Sequence, residues 1–113
     1  MKRIIAMIRP VMRDDLIAAL HQIEDFPGAS MCEIKGIRRG VHQCVKDRRE
    51  LLTVDFPTFI RIEIICTDAM APTLAETIRS TVRTGKPGDG KIFVSPVESC
   101  LSISDGKTGE GTL

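Results

Sequence analysis

The sequence contains no tryptophan, no tyrosine and only four phenylalanines in 113 residues. Proteins that bind single-stranded nucleic acid stack the bases on aromatic side chains, and this chain lacks most of the platforms for such binding. Its 16 basic and 15 acidic residues leave a net charge of +1, which argues against binding nucleic acid through bulk electrostatics. Any site for an anion must therefore be local.

Long apolar runs are also missing. No stretch approaches the roughly 18 consecutive apolar residues that a membrane span needs, so direct membrane insertion is not expected. The apolar start of the chain stops at Arg9-Pro10, before the core of a secretory leader is complete. The four cysteines are scattered and form no C-x-x-C pair, which is typical of neither a zinc site nor a small disulfide framework. These features predict a cytoplasmic protein with reduced thiols.

The length suits a single domain, residues 1–113, with one core. Hydrophobic periodicity predicts six elements in the order strand, helix, strand, strand, helix, strand: residues 2–9, 12–25, 29–37, 58–67, 71–83 and 91–97. Pro27-Gly28 is expected to end the first helix and Asp68 to cap the second. The βαββαβ order predicts the ferredoxin-like α+β fold, a four-stranded antiparallel sheet with both helices on one face. The polar tail, residues 104–113, is expected to be mobile if nothing clamps it.

One segment, TGKPGDGKIF at residues 84–93, combines three glycines with two lysines. Glycines let the backbone turn tightly with its N–H groups pointing inward, and Lys86 and Lys91 add positive charge, as in a phosphate site. The alternative is a solvated connection that needs glycine only for its backbone angles. The segment matches neither a Walker loop nor a dinucleotide fingerprint, because the lysine is not followed by Ser or Thr and leads into a strand.

The longer stretch TGKPGDGKIFVSPVE resembles the signature of the PII signal-transduction proteins. The likeness covers nearly the whole chain: MKRIIAMIRP resembles the family's first strand, DDLIAAL its first helix, EIKGI the approach to its long T-loop, VDFPTFIRIEII the strand after that loop, and TGE the end. The resemblance implies a homotrimer that binds an adenine nucleotide (ATP, ADP or AMP) between subunits. It also implies a regulator, connected with nitrogen use, that controls a transporter, an enzyme or an efflux pump through the T-loop, residues 38–54. Whether Mg²⁺ accompanies the nucleotide stays open.

By position, the resemblance assigns the adenine pocket to Met7, Gly36 and Ile65 with Glu63 beneath it. The residues that it places at the phosphates are Arg39, Gly88, Asp89, Gly90 and Lys91. Arg39 offers a planar fork of donors and Lys91 a point charge, which suit an anion. For Asp89, the more ordinary role is to accept hydrogen bonds from N–H groups of its own turn.

Three positions depart from the family pattern in and beside the T-loop. Leu52 stands where a modifiable tyrosine is expected, so uridylylation there is excluded. Gly40 stands where a glutamine normally coordinates the metal that holds 2-oxoglutarate, and Phe59 where a lysine normally pairs with that acid. Neither glycine nor phenylalanine has a side-chain ligand or charge to replace these contacts. The usual sensing of 2-oxoglutarate is therefore not expected.

The end of the chain departs as well. Ser102 and Ser104 occupy positions where two arginines normally reach a neighbour's phosphate site. Each lost contact removes a charge-assisted hydrogen bond of roughly 1.5–3 kcal/mol, so ADP or AMP is at least as well suited as ATP. Lys107 lies in an apparent insertion of three residues, 105–107, and we hypothesise that it returns part of the charge.

The T-loop carries the side chains expected to meet a partner: Arg38, His42, Cys44, Lys46, Arg48 and Arg49. They form either a basic finger for an acidic surface or a merely solvated loop. His42 and Cys44 are also candidate ligands of Cu(I) or Zn, in line with PII-like relatives associated with heavy-metal efflux, although two ligands do not complete a site. A trimeric scaffold without nucleotide is a further alternative. A dedicated enzyme is not expected, because Asp89 is the only carboxylate in the glycine-rich loop.

Overall fold

The computed structural model describes residues 1–37 and 56–113. The elements in this part of the chain are β1 (Lys2–Ile8), α1 (Arg13–His21), β2 (Ser30–Lys35), β3 (Thr58–Cys66), α2 (Ala71–Val82) and β4 (Ile92–Pro96), with short 3₁₀ turns at Pro10–Met12 and Glu110–Thr112. The strands pair antiparallel in the order β2-β3-β1-β4. The predicted ferredoxin-like α+β fold is confirmed. Within the same residues, no helix has the length and apolar character needed to cross a bilayer.

The core lies between one face of the sheet and the two helices. Alternate residues of the central strands β1 and β3 are buried on that face, and α1 and α2 contribute a stripe of leucine, isoleucine and valine to the same cluster: Ile4, Ala6, Ile8, Leu16, Leu20, Ile60, Ile62, Ile64, Cys66, Ala71, Leu74, Ile78 and Val82. Strand alternation with a period of two and a helical stripe with a period of 3.6 produce this arrangement. Because all thirteen residues belong to one cluster, the described residues have a single core.

Helix α1 ends at His21, four residues before the predicted end at Asp25. The N–H groups of Gln22 and Ile23 donate to carbonyls three residues back, at 3.2 and 3.1 Å, which tightens the last turn. Asp25 then has φ of +58°, a left-handed conformation that a helix cannot contain. The turn brings Phe26 against the core. Periodicity could not reveal this early end, because Ile23 still packs against the buried face.

The predicted capping role of Asp68 is wrong. The residue before α2 is Met70, and no side chain caps the helix. The Asp68 carboxylate instead lies 3.0 Å from the amino group of Met1, and this hydrogen-bonded ion pair lowers the pKa of Asp68. Strands β1 and β3 run antiparallel with Lys2 opposite Cys66. This pairing brings the amino group of Met1 close to the Asp68 carboxylate, which binds it instead of the start of α2.

The tail is hydrogen-bonded to residues 100–102, which precede it. Leu101 and Thr108 form an antiparallel bridge, and the backbone N–H of Ser102 donates to the carbonyl of Lys107 at 2.8 Å. The Thr112 hydroxyl lies 3.2 Å from the Cys100 sulfur. The expectation of a mobile tail depended on the absence of a clamp, and these contacts provide one.

Truncation of a core residue tests this account. We expect Ile78→Ala to lower the free energy of unfolding by about 2–5 kcal/mol, because Ile78 is fully buried between α2 and the sheet. Val11→Ala is the control, since Val11 is 80% exposed, and its effect should stay within about 0.5 kcal/mol. Denaturant unfolding at one protein concentration measures both, and equal effects would contradict the assigned core.

Candidate functional site

The glycine-rich segment, residues 84–91, connects α2 to β4 and is held closed by Asp89. The Asp89 carboxylate accepts hydrogen bonds from the backbone N–H groups of Thr84 and Gly85, at 2.9 and 2.8 Å, and from the Thr84 hydroxyl. The Thr84 hydroxyl is the main reason that the pKa of Asp89 lies below its ordinary value, and the two N–H groups and the nearby Arg9 contribute further. Asp89 therefore fills the ordinary role that the sequence suggested for it.

Two glycines let this loop lie against β1. Gly90 has φ of +104°, and a Cβ atom there would lie 2.1 Å from the Met7 carbonyl oxygen. Gly88 has φ of +95°, and a Cβ atom there would lie 3.2 Å from the Arg9 guanidinium. Only glycine adopts such angles at small energetic cost. These two glycines thus place Lys91 beside the end of β1.

Four of the predicted nucleotide-binding residues line one cleft of about 470 Å³. The cleft is lined by Met7, Ile34, Lys35, Gly36, Ile37, Phe59, Gly90, Lys91 and Phe93. Its charged members are the two lysines, and Lys35 donates to the Thr58 hydroxyl at 2.7 Å. Apolar side chains with a cationic rim suit a molecule that has a flat apolar body and an anionic end.

Glu63 and Ile65 lie on the same open face of the sheet as Met7 but at a different place. The strand register puts them opposite Ile5 and Arg3 of β1, two and four residues away from Met7. Both line another pocket, beside the 3₁₀ turn at the end of the chain. The Glu63 carboxylate lies 2.8 Å from the guanidinium of Arg61. One chain alone therefore does not bring Glu63 and Ile65 into the cleft.

The remaining predicted residues fall into two groups. Lys107 belongs to the folded tail, where its ammonium lies 3.9 Å from Asp105 and 78% of its side chain is exposed. The Ser102 and Ser104 hydroxyls lie 3.3 Å from each other. The other predicted residues lie outside the described ranges: Arg38, Arg39, Gly40, His42, Cys44, Lys46, Arg48, Arg49 and Leu52. Among residues 1–37 and 56–113, no group of three or more His, Cys, Asp or Glu side chains is arranged to hold a metal.

Sequence reasoning missed Arg9. Its Nε donates to the Gly88 carbonyl at 3.2 Å, its Nη2 donates to the Pro87 carbonyl at 3.0 Å, and the same Nη2 lies 3.7 Å from the Asp89 carboxylate. A cation at the end of the first strand carries no local signal of this role, because the contacts span 78 to 79 residues.

In the sequence, Phe59 is notable only for the charge that it lacks. The structure shows that its ring packs on Gly36, where a Cβ atom would lie 2.5 Å from the ring. The Gly36 N–H also donates to the Pro57 carbonyl at 2.9 Å. A larger residue at position 36 would therefore force the Phe59 ring to shift, and that ring forms part of the cleft wall.

The fold and the loop packed against β1 define a ferredoxin-like α+β domain with a cleft suited to an anionic ligand. The family model described as "Nitrogen regulatory protein P-II" matches residues 1–107. The chain is 41% identical to Nitrogen regulatory protein P-II of Cereibacter sphaeroides over 113 residues, all of both chains. It is 36% identical to the protein of that name from Azospirillum brasilense over 109 residues, 96% of each chain, and 35% identical to Nitrogen regulatory protein P-II 1 of Escherichia coli over the whole of both chains.

The chain therefore belongs to the P-II family of nitrogen regulatory proteins. Members of this family are regulatory signal-transduction proteins rather than enzymes. The resemblance found in the sequence and the expectation of a regulator rather than an enzyme are both confirmed.

Substitutions at two loop glycines separate steric clash from backbone strain. Gly85 has φ of +81°, and no atom lies within 4 Å of the position that a Cβ would take, whereas a Cβ at Gly90 would also overlap the Met7 carbonyl. We expect Gly85→Ala to lower the unfolding free energy by about 1 kcal/mol and Gly90→Ala to lower it by more. Chemical denaturation of the two variants gives the comparison, and a Gly90→Ala effect no larger than that of Gly85→Ala would contradict the close approach to β1.

The ionisation of Asp89 gives a second test. Because its folded pKa is below its ordinary value, its contribution to stability is present above the unfolded pKa and disappears as pH falls through the folded pKa. We expect an NMR titration of the carboxyl group to give a midpoint below 3.8, and Thr84→Val to raise that midpoint by removing the hydroxyl donor. Thr73→Val is the matched control. An unchanged midpoint in Thr84→Val would contradict the hydrogen-bond assignment.

Proposed function

We propose that this P-II family member binds an adenine nucleotide, ATP, ADP or AMP, at clefts between the subunits of a homotrimer and controls a partner protein through residues 38–54. The observation that carries the proposal is the convergence of Met7, Gly36, Gly90 and Lys91 on one cleft. Strand β1, the end of β2 and the glycine-rich loop each contribute to it, so three distant parts of the chain meet there.

The chemistry of the cleft supports a nucleotide. Its apolar lining, which includes Met7 and the rings of Phe59 and Phe93, suits a flat base, since aromatic rings and sulfur pack well on such surfaces. Lys91 has no acidic partner among the described residues, so its charge is available to phosphate oxygens. Backbone N–H groups beside glycines in left-handed conformations are the usual complement to such a cation.

The division of the predicted residues supports a site shared between chains. Glu63 and Ile65 lie away from the cleft on the same chain. A neighbouring copy of the chain would bring its own Glu63 and Ile65 to the cleft. The open face of the sheet also exposes apolar side chains such as Phe93, at 53%, which a neighbouring subunit would bury. Lys107 and the serines at 102 and 104 would approach the site only from such a neighbour.

The proposed regulatory input differs from the usual one in the family. Phe59 places a ring on Gly36 and offers no charge to a dicarboxylic acid. The chain has no tyrosine to modify. We therefore propose that the protein, which we expect to act in the cytoplasm, responds to adenine nucleotides without uridylylation and without the usual response to 2-oxoglutarate.

Isothermal titration of the nucleotide-stripped protein with ATP, ADP and AMP tests the proposal. We expect micromolar binding of at least one nucleotide, unaffected by 2-oxoglutarate, in the presence or absence of Mg²⁺. Lys91→Gln should weaken that binding about tenfold, the effect of one lost charge-assisted hydrogen bond. Lys2→Gln is the matched control, because Lys2 lies at the opposite end of β1 from Met7 and its loss changes the net charge equally.

The same experiment distinguishes the alternatives. Light scattering that shows no trimer, or equal affinities for Lys91→Gln and the wild type, would contradict the shared site. Absence of binding by every nucleotide would favour a scaffold. Retention of copper or zinc in equilibrium dialysis, lost on replacement of His42 and Cys44, would then favour the heavy-metal alternative.

A further inference from the structure

We propose that Arg9 and Asp89 form a clamp that folds the glycine-rich loop before any ligand arrives, with Arg9 as a positioning residue and not a contact to the ligand. The clamp consists of Arg9, Asp89 and the backbone groups of residues 84–88 that they bind. The part of this inference that concerns ligand affinity rests on the proposed function; the part that concerns loop structure does not.

The first half of the clamp is the guanidinium of Arg9. Its Nε and Nη2 donate to two successive carbonyls, those of Gly88 and Pro87, at 3.2 and 3.0 Å. A planar fork of donors fixes both peptide groups at once, and a single ammonium lacks this geometry. In a trans peptide the N–H points opposite to the carbonyl. The N–H groups of Gly88 and Asp89 are therefore turned away from Arg9.

These two N–H groups are the donors that the clamp presents. Within the described part of the chain, neither of them donates a hydrogen bond to another residue. They adjoin Gly90 and Lys91, which line the cleft. Two oriented N–H donors beside a lysine suit an anion. The guanidinium, in contrast, already directs its Nε and Nη2 at two carbonyls and one carboxylate, so we assign these two groups to holding the loop and not to the ligand.

The second half of the clamp is Asp89. Its carboxylate binds the N–H groups of Thr84 and Gly85 at the start of the loop and lies 3.7 Å from Arg9. Asp89 thus fastens the start of the loop to its far end, and Arg9, the residue after β1, fastens that far end to the strand. Arg9 and Asp89 are only 32% and 21% exposed, so solvent weakens their interaction less than that of a fully exposed pair.

Apolar packing does not replace this clamp. An open cavity of about 350 Å³ lies between Asp89, Gly90 and Lys91 and the buried residues Ile78 and Val82 of α2. Because no side chain of residues 1–37 and 56–113 fills this space, the loop has few apolar contacts with these residues to fix its position on that side. The polar contacts of Arg9 and Asp89 therefore determine where the loop lies. A loop ordered in advance binds its ligand more tightly, since less conformational entropy is lost on binding.

Three variants of Arg9 and its surroundings test the clamp. Arg9→Met keeps the length of the side chain but removes its donors, Arg9→Lys keeps the charge without the fork, and Arg13→Met is a control at an exposed arginine whose ion pair is with Asp14. The readouts without ligand are amide hydrogen exchange at Thr84 and Gly85 and the NMR titration of the Asp89 carboxyl group. The readout with ligand is ATP affinity by calorimetry.

We expect Arg9→Met to speed exchange at both amides about tenfold, to raise the titration midpoint of Asp89 and to weaken ATP binding about tenfold. Arg9→Lys should restore part of each effect, and Arg13→Met should change none. A general loss of structure would instead speed amide exchange in β1 and β3 as well, which serve as the internal reference. In that case the Arg9→Lys variant decides whether Arg9 holds the loop.

The outcomes separate this inference from the proposed function. Unchanged exchange and an unchanged Asp89 midpoint in Arg9→Met would overturn the clamp, whatever happens to ATP. Altered exchange with unaltered ATP affinity would overturn the positioning role. If the wild type binds no nucleotide, the proposed function fails, while the two readouts without ligand still decide whether Arg9 and Asp89 hold the loop.

Discussion

The structure depends first on β1, which pairs on both of its edges. Ile4 lies opposite Ile64 of β3 on one side and Val94 of β4 on the other, so the strand is fixed by two ladders and by the burial of alternate side chains. Its last residues then support the glycine-rich loop, through the Met7 carbonyl that lies against Gly90 and through the side chain of Arg9, the residue after the strand. Displacement of β1 would therefore disturb the core and the candidate site together.

The loop combines two kinds of constraint. Glycines at positions 88 and 90 permit left-handed backbone angles, which a larger residue would strain, and at Gly90 a Cβ atom would also overlap the Met7 carbonyl of β1. The glycines alone do not select one loop conformation, because glycine also loses the most backbone conformational freedom on folding. Selection comes from the Asp89 carboxylate with its N–H donors. The same aspartate that an enzymatic interpretation would consider as a base is thus occupied by backbone donors.

Most of the fold could be predicted from the sequence, because burial on one face imposes a period of two on strands and 3.6 on helices. The strand from Thr58 to Cys66 shows this well, with alternate residues buried from Ile60 onward. The end of α1 and the partner of Asp68 could not be predicted, since they depend on a left-handed Asp25 and on an amino group brought close by strand pairing. Local patterns contain neither kind of information.

The candidate site could be predicted only in part, for a related reason. Gly90 and Lys91 belong to a recognisable segment, and the structure places Met7 and Gly36 beside them. Arg9 could not be found, because its contacts join residues 78 and 79 positions apart. The separation of Glu63 from the cleft could not be predicted from the sequence either. Glu63 and Met7 belong to the open face of one sheet, and only the strand register sets the distance between them along that face.

This separation has a thermodynamic consequence under the proposed function. A ligand that touches the cleft of one chain and Glu63 and Ile65 of another binds the assembled form more tightly than the separate chain. Such a ligand stabilises the assembly by mass action, and its apparent affinity depends in turn on the concentration of protein. The loop beside the cleft is already held within each chain by Arg9 and Asp89. Assembly therefore has to fix the position of one chain relative to another, and not the conformation of the loop.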